Sequence, residues 1–135
     1  MAVNRYWVGG SGNWNDTAHW STTSGGSGGA SVPSGTDNAY FNQSATYTVG
    51  INTQIGLSYS PLNSLNVSAG TVTFYAYSSY LLYIDNISFN STVNITNSFY
   101  LNFRFANTGN VCGYSFGGNS LGDATVIVNY EGAFG

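Results

Sequence analysis

Apolar and polar residues alternate with a period of two in one short segment after another, and no other feature constrains the fold as strongly. The pattern runs through Tyr47-Thr48-Val49-Gly50-Ile51, Ser64-Leu65-Asn66-Val67 and Thr71-Val72-Thr73-Phe74-Tyr75. It returns in Thr92-Val93-Asn94-Ile95-Thr96, Leu101-Asn102-Phe103-Arg104-Phe105 and Val126-Ile127-Val128. Successive side chains on a strand point to opposite faces, so these segments read as half-buried β-strands. Tyr80-Leu81-Leu82-Tyr83-Ile84 is apolar throughout and reads as a strand buried on both faces. No window places apolar residues at i, i+3, i+4 and i+7 without Gly or clusters of Asn, Ser and Thr breaking it. The expected fold class is all-β.

Two architectures suit such strands. In a short right-handed β-solenoid, a β-helix, apolar positions recur once per rung, and Val67, Ile84, Phe103 and Ile127 are the candidate equivalents. Asparagines lie beside them at Asn63, Asn86, Asn90, Asn94, Asn97 and Asn102. Stacked asparagines pass amide hydrogen bonds between rungs, whereas isolated ones are ordinary turn residues. The alternative is a β-sandwich, with similar strands and a turn every 8–12 residues or so. Tight turns favour the solenoid. So does the final run Asn129-Tyr130-Glu131-Gly132-Ala133-Phe134-Gly135, which supplies no polar cap for an open strand edge.

Composition narrows the function classes. Only 5% of residues are charged, against roughly 25% in ordinary soluble domains, and Arg5 and Arg104 are the only basic side chains besides one histidine. A net charge of −3 provides no footprint for nucleic acid. Apolar runs are interrupted too often for a membrane helix, and 16% aromatic content argues against disorder. Asn, Ser, Thr and Gly take the place of charge, as suits extended β-structure on an exposed surface. Met1 leads into Ala2-Val3-Asn4-Arg5 without a basic segment or apolar core, so no secretory signal peptide is expected. A chain made in a host cytoplasm and assembled into a virion meets both conditions. The single Cys112 has no internal disulfide partner and reads as a small buried residue.

The chain divides near residue 45. Residues 1–45 hold all three tryptophans and the tract Ser24-Gly25-Gly26-Ser27-Gly28-Gly29, and form a Trp/Gly-rich cap module. Residues 46–135 form the strand stack, packed with the cap as one domain. Within the cap, Trp7, Trp14 and Trp20 can bury the large area a small β-domain needs, each seeking a partner for its indole N–H. Gly9 and Gly10 permit tight reversals, and Pro33 and Asp37 shape a turn before Tyr40-Phe41. A compact aromatic plug at one end of the stack is expected.

The pattern Trp-x-Gly-Gly-x-Gly-x-Trp, a third Trp, then Pro-x-x-x-Asp-x-x-x-Phe, spans Trp7, Gly9, Gly10, Trp14, Trp20, Pro33, Asp37 and Phe41. It resembles a module that opens many predicted tailed-phage tail-fibre and surface proteins. A looser version resembles the repeat of autotransporter-type β-solenoids. The match covers residues 5–41, with weaker similarity over 62–132 through Leu65-Asn66-Val67, Gly70-Thr71-Val72-Thr73-Phe74, Tyr114-Ser115-Phe116-Gly117 and Thr125-Val126-Ile127-Val128. The resemblance implies a structural or attachment role in a phage virion, as tail fibre, spike or capsid decoration, with no catalytic residues and no cofactor. It also implies homo-oligomers, trimers for fibres, in contact with other virion proteins. The chain resembles such proteins up to the equivalent of a mid-repeat, and they run on beyond it.

Sites for chemistry are sparse. His19, the only histidine, sits within the tryptophan motif, where packing is the expected role. Asp16, Asp37, Asp85, Asp123 and Glu131 are isolated in sequence, although a pair meeting in space would suit a polysaccharide-degrading tailspike. One His, one Cys and scattered Asp give no metal-ligand spacing. Tyr75, Tyr77, Tyr80 and Tyr83 crowd one stretch. Tyrosine anchors protein interfaces and also stacks on sugars, so subunit contact is the first expectation and a carbohydrate-binding adhesin for host surface glycan the alternative.

Overall fold

The computed structural model describes residues 3–107 and 114–130. Cys112 and Glu131 lie outside this range, as does the run beyond Tyr130. Twelve strands follow in chain order: β1 (Asn4–Trp7), β2 (Gly12–Asn13), β3 (Trp20–Ser21), β4 (Asn38–Phe41), β5 (Thr46–Ile51), β6 (Leu62–Val67), β7 (Thr71–Ala76), β8 (Tyr80–Phe89), β9 (Thr92–Thr96), β10 (Leu101–Asn107), β11 (Tyr114–Ser115) and β12 (Thr125–Tyr130). Single 3₁₀ turns span Thr17–His19 and Ser98–Tyr100, and no α-helix occurs among the described residues. The all-β expectation holds. No helix of the described residues is long and apolar enough to cross a membrane.

The strands form two sheets. One runs β12-β10-β8-β6-β4-β1-β3, with β11 also on β8; the other runs β2-β5-β7-β9. Every pairing is parallel except β1 with β3. Parallel neighbours cannot be joined by a hairpin, so the chain must travel elsewhere before it returns. From β4 to β10 it alternates sheets, and from β6 onward within that run each strand lands beside the one two before it. The register is continuous: Ala39 aligns with Leu65, then Ile87, then Tyr114, while Thr46 aligns with Thr71 and then Thr92.

β4 pairs in register with β6, so the Trp/Gly-rich segment and the strand stack share one sheet.

β8 belongs to two parts of the first sheet. Its first half pairs with β10 through Tyr80–Tyr83, and its second half pairs with β6 and β11. The inward face changes parity between them, since Leu82 and Ile84 are buried, then Ile87 and Phe89. The fully apolar look of Tyr80–Ile84 therefore has a different cause from burial on both faces. Leu82 and Ile84 enter the core, whereas Leu81 and Tyr83 stay half-exposed. The candidate rung equivalents are corrected in the same way. Val67 pairs with Phe89, Ile84 with Leu62, Phe103 with Leu82 and Val126, and Ile127 with Arg104.

The core lies between the sheets. Tyr47, Val49 and Ile51 of β5 and Val72, Phe74 and Ala76 of β7 meet Leu65 and Val67 of β6 and Ile87 and Phe89 of β8 in one continuous apolar cluster. Each fully buried Val, Leu, Ile or Phe contributes about 1.5–3 kcal/mol. A void lined by Trp14, Ile51, Phe74, Phe89 and Phe103 measures about 10 Å³, roughly the least that holds a single water. This core has no room for a ligand there.

A ladder of asparagines crosses the first sheet from β1 through β4 and β6 to β8. Asn38 Nδ2 donates to Asn4 Oδ1 at 2.9 Å, Asn63 Nδ2 to Asn38 Oδ1 at 2.7 Å, and Asn86 Nδ2 to the Asn63 carbonyl at 2.8 Å. Asn63 and Asn86 behave as the rung-to-rung reading expects, joined by Asn4 and Asn38. Asn97 Nδ2 also reaches back to the Ala76 carbonyl at 3.4 Å. Asn90 instead bonds Ser88 within its own strand end.

Candidate functional site: the aromatic plug and the tyrosine corner

Trp7 ends β1 and Trp20 opens β3, and the antiparallel register sets them opposite each other. Their rings meet edge-on at 5.2 Å, Trp14 meets Trp20 at 4.9 Å, and Phe41 of β4 lies 5.6–5.9 Å from all three. Edge-to-face contact sets the positive rim of one ring against the negative face of the next. All three indoles are buried. Trp7 Nε1 donates to the Gly10 carbonyl at 3.1 Å and Trp20 Nε1 to the Trp14 carbonyl at 2.7 Å. The aromatic column continues through Phe74, Phe89 and Phe116, at centroid spacings of 5.4, 6.4 and 5.9 Å.

The turns around the plug show why particular residues stand there. Gly9 adopts φ +81°, the left-handed region that a side chain disfavours. Gly10 contributes its carbonyl; a side chain at this position would meet open space. Gly12, by contrast, is pressed against the His19 imidazole, and a Cβ there would strike the ring. His19 stacks flat on Trp7 at 4.5 Å and 6°, with Nδ1 2.8 Å from the Val8 carbonyl. A carbonyl only accepts, so Nδ1 carries the proton. One face and one nitrogen of the only histidine are thus engaged in packing.

Asp37 is buried and binds three donors. Oδ2 accepts from the Ser34 N–H at 2.9 Å and its hydroxyl at 3.4 Å, and Oδ1 accepts from the Val3 N–H at 3.2 Å. With buried Pro33 before it, the carboxylate fixes the turn and holds the start of the chain against β4. Asp16 caps the 3₁₀ turn through the Ala18 N–H at 2.9 Å. Among the described residues no cluster of three or more His, Cys, Asp or Glu could hold a metal.

The four crowded tyrosines do not share a face. Tyr80 packs against the core, and Tyr83 is half-buried on the opposite side of β8. Tyr75 and Tyr77 stand together on the other sheet, 36% and 59% exposed, their rings 5.1 Å apart at 68°. The register neighbours of Tyr75 are Gly50 and Thr96, and Tyr77 follows just beyond the end of β7. Nothing in the sequence distinguishes this pair from Tyr80 and Tyr83 except parity within the strands, because Tyr75 falls on the outward positions of β7. Gly12 belongs to the sequence motif, but the reason for it was not legible there, because the ring it accommodates, His19, comes from a later turn.

Tyr47 differs from the other aromatics. Its ring stacks near Trp7 and its hydroxyl is buried with no hydrogen-bond partner. Burial pushes its pKa up to about 12.

No family model matches the chain, and neither a curated protein nor a solved structure matches it.

Proposed function

We propose that the chain is a structural and attachment component of a tailed-phage virion (tail fibre, spike or capsid decoration), built as a short right-handed β-solenoid closed by its tryptophan plug. The observation that carries this reading is the in-register parallel stacking of strands 21–26 residues apart, sealed at one end by three buried tryptophans. A sandwich of hairpin-linked antiparallel strands has no use for such offsets. An uncharged surface of Asn, Ser, Thr and Tyr supports side-by-side packing of identical copies, with three the number the resemblance implies. Synthesis in the host cytoplasm, contact with other virion proteins and the absence of catalysis belong to the same reading.

Mass spectrometry of purified particles from cells carrying the gene tests it. Stoichiometric recovery in the particle supports the proposal; recovery only from the soluble lysate overturns it. An experimental structure with antiparallel, hairpin-linked strands would overturn the solenoid. A carbohydrate-binding role is the second reading, favoured by one observation: Tyr75 and Tyr77 are exposed together and in contact.

A further inference from the structure

The corner at the end of β7 has the parts of a sugar site. Tyr75 and Tyr77 set two ring planes at 68°, a steep aromatic angle open to solvent. Beneath Tyr77 lies Gly50, where a Cβ would collide with that ring and with Asn13 Oδ1. The missing side chain lets the ring lie down on bare backbone, with Asn13 beside it. Thr96 flanks Tyr75 in register on β9, and Thr48 and Thr73 occupy the next outward positions along β5 and β7. Asn13, Thr48 and Thr96 are exposed and Thr73 half-exposed. The surroundings are hydroxyls and amides, without a charged residue among them.

That composition discriminates between occupants. The centre of a protein interface is apolar, with Met and further aromatics enriched there. Here the aromatics stand among threonine and asparagine. A saccharide presents an apolar C–H face ringed by hydroxyls, which matches an aromatic wall edged by neutral donors and acceptors. The lack of a cation at the rim disfavours acidic sugars.

We propose that the Tyr75–Tyr77 corner binds a neutral glycan, its ring stacked on the tyrosines and its hydroxyls bonded by Asn13, Thr48 and Thr96. The site deepens the attachment reading and rests on it for its biological role.

The test uses the full chain on an array of neutral and acidic bacterial-surface oligosaccharides, followed by saturation-transfer NMR with each sugar retained. Binding to neutral members is expected, with Tyr75→Ala and Tyr77→Ala each weakening it at least about tenfold. Tyr77→Phe keeps the ring and retains binding. Tyr59→Ala, at an exposed tyrosine outside the corner, binds like the parent. Melting of the Tyr77→Ala protein matches the parent, since the side chain is mostly exposed, which separates lost binding from lost folding. A blank array with folded protein, binding confined to acidic sugars, or a Tyr77→Ala protein that binds normally overturns the site. Particle mass spectrometry tells the two ideas apart. A chain present in virions with a blank array removes the site alone, and tyrosine-dependent binding by a chain absent from virions removes the virion reading alone.

Discussion

Trp14, Tyr47 and His19 show three ways in which one residue serves the plug. Trp14 is almost completely buried between Trp20 and Phe41. Trp14→Ala should cost about 3–5 kcal/mol, a large share of the 5–15 or so that holds a domain together. Chemical denaturation measures it, and an unchanged midpoint would mean the plug is not what secures this end. Tyr47 contributes its ring and wastes its hydroxyl, because a buried unpaired polar group costs about 1–3 kcal/mol. Tyr47→Phe should therefore stabilise the protein. It should also change the alkaline limb. With the folded pKa near 12 and the unfolded one near 10, the unfolded chain loses its proton first. Stability from this group is full below pH 10 and declines between 10 and 12, and the decline should be shallower in Tyr47→Phe when the two are titrated side by side. The tryptophans were legible in the sequence because large aromatics spaced by glycine leave few alternatives to burial. Asn4 and Asn38 were not, because 34 residues separate them and neither sits in a strand with an alternating pattern strong enough to mark its face.

At the scale of elements, the outer edge of β9 is the instructive case. Among the described residues no strand lies beyond it in its sheet, yet the Val93 N–H finds an acceptor there. Asn119 Oδ1 accepts the Val93 N–H at 3.1 Å, and its Nδ2 donates to the Ser91 carbonyl at 2.9 Å. The side-chain amide thus offers the same donor and acceptor that a neighbouring peptide would, and shields an edge that would otherwise be sticky. Asn119→Ala should cost about 1–3 kcal/mol and leave that edge bare. Hydrogen exchange should show faster loss of protection at the Val93 amide, with the Val72 amide inside the sheet unchanged; equal protection at Val93 would assign the shielding elsewhere. The strands themselves were readable from period-two alternation, since a half-buried strand writes its pattern directly into sequence. Pairing was not. Val67 pairs with Phe89 and not Ile84, since the β6–β8 register is fixed at Leu62 with Ile84, and the buried positions of β8 change parity between Ile84 and Ile87. Local pattern carries no record of which strand lies alongside or of such a shift.

For the whole molecule, low charge and continuous parallel stacking act together. With two basic side chains besides His19 and a net charge of −3, little repulsion keeps copies apart. Sedimentation of the purified chain at micromolar concentration should therefore report an oligomer, and a soluble monomer would remove the force of that argument. Stacking has a second consequence, for how the molecule bears load. The hydrogen bonds between β4, β6 and β8 point along the direction in which these strands pile up. Tension applied along that direction opens them one strand at a time, like a zip, at low force. Tension applied along the strands loads a whole row of them at once in shear and meets far greater resistance. A tether fixed across the strands would make this a weak mechanical link, and one fixed along them a strong one.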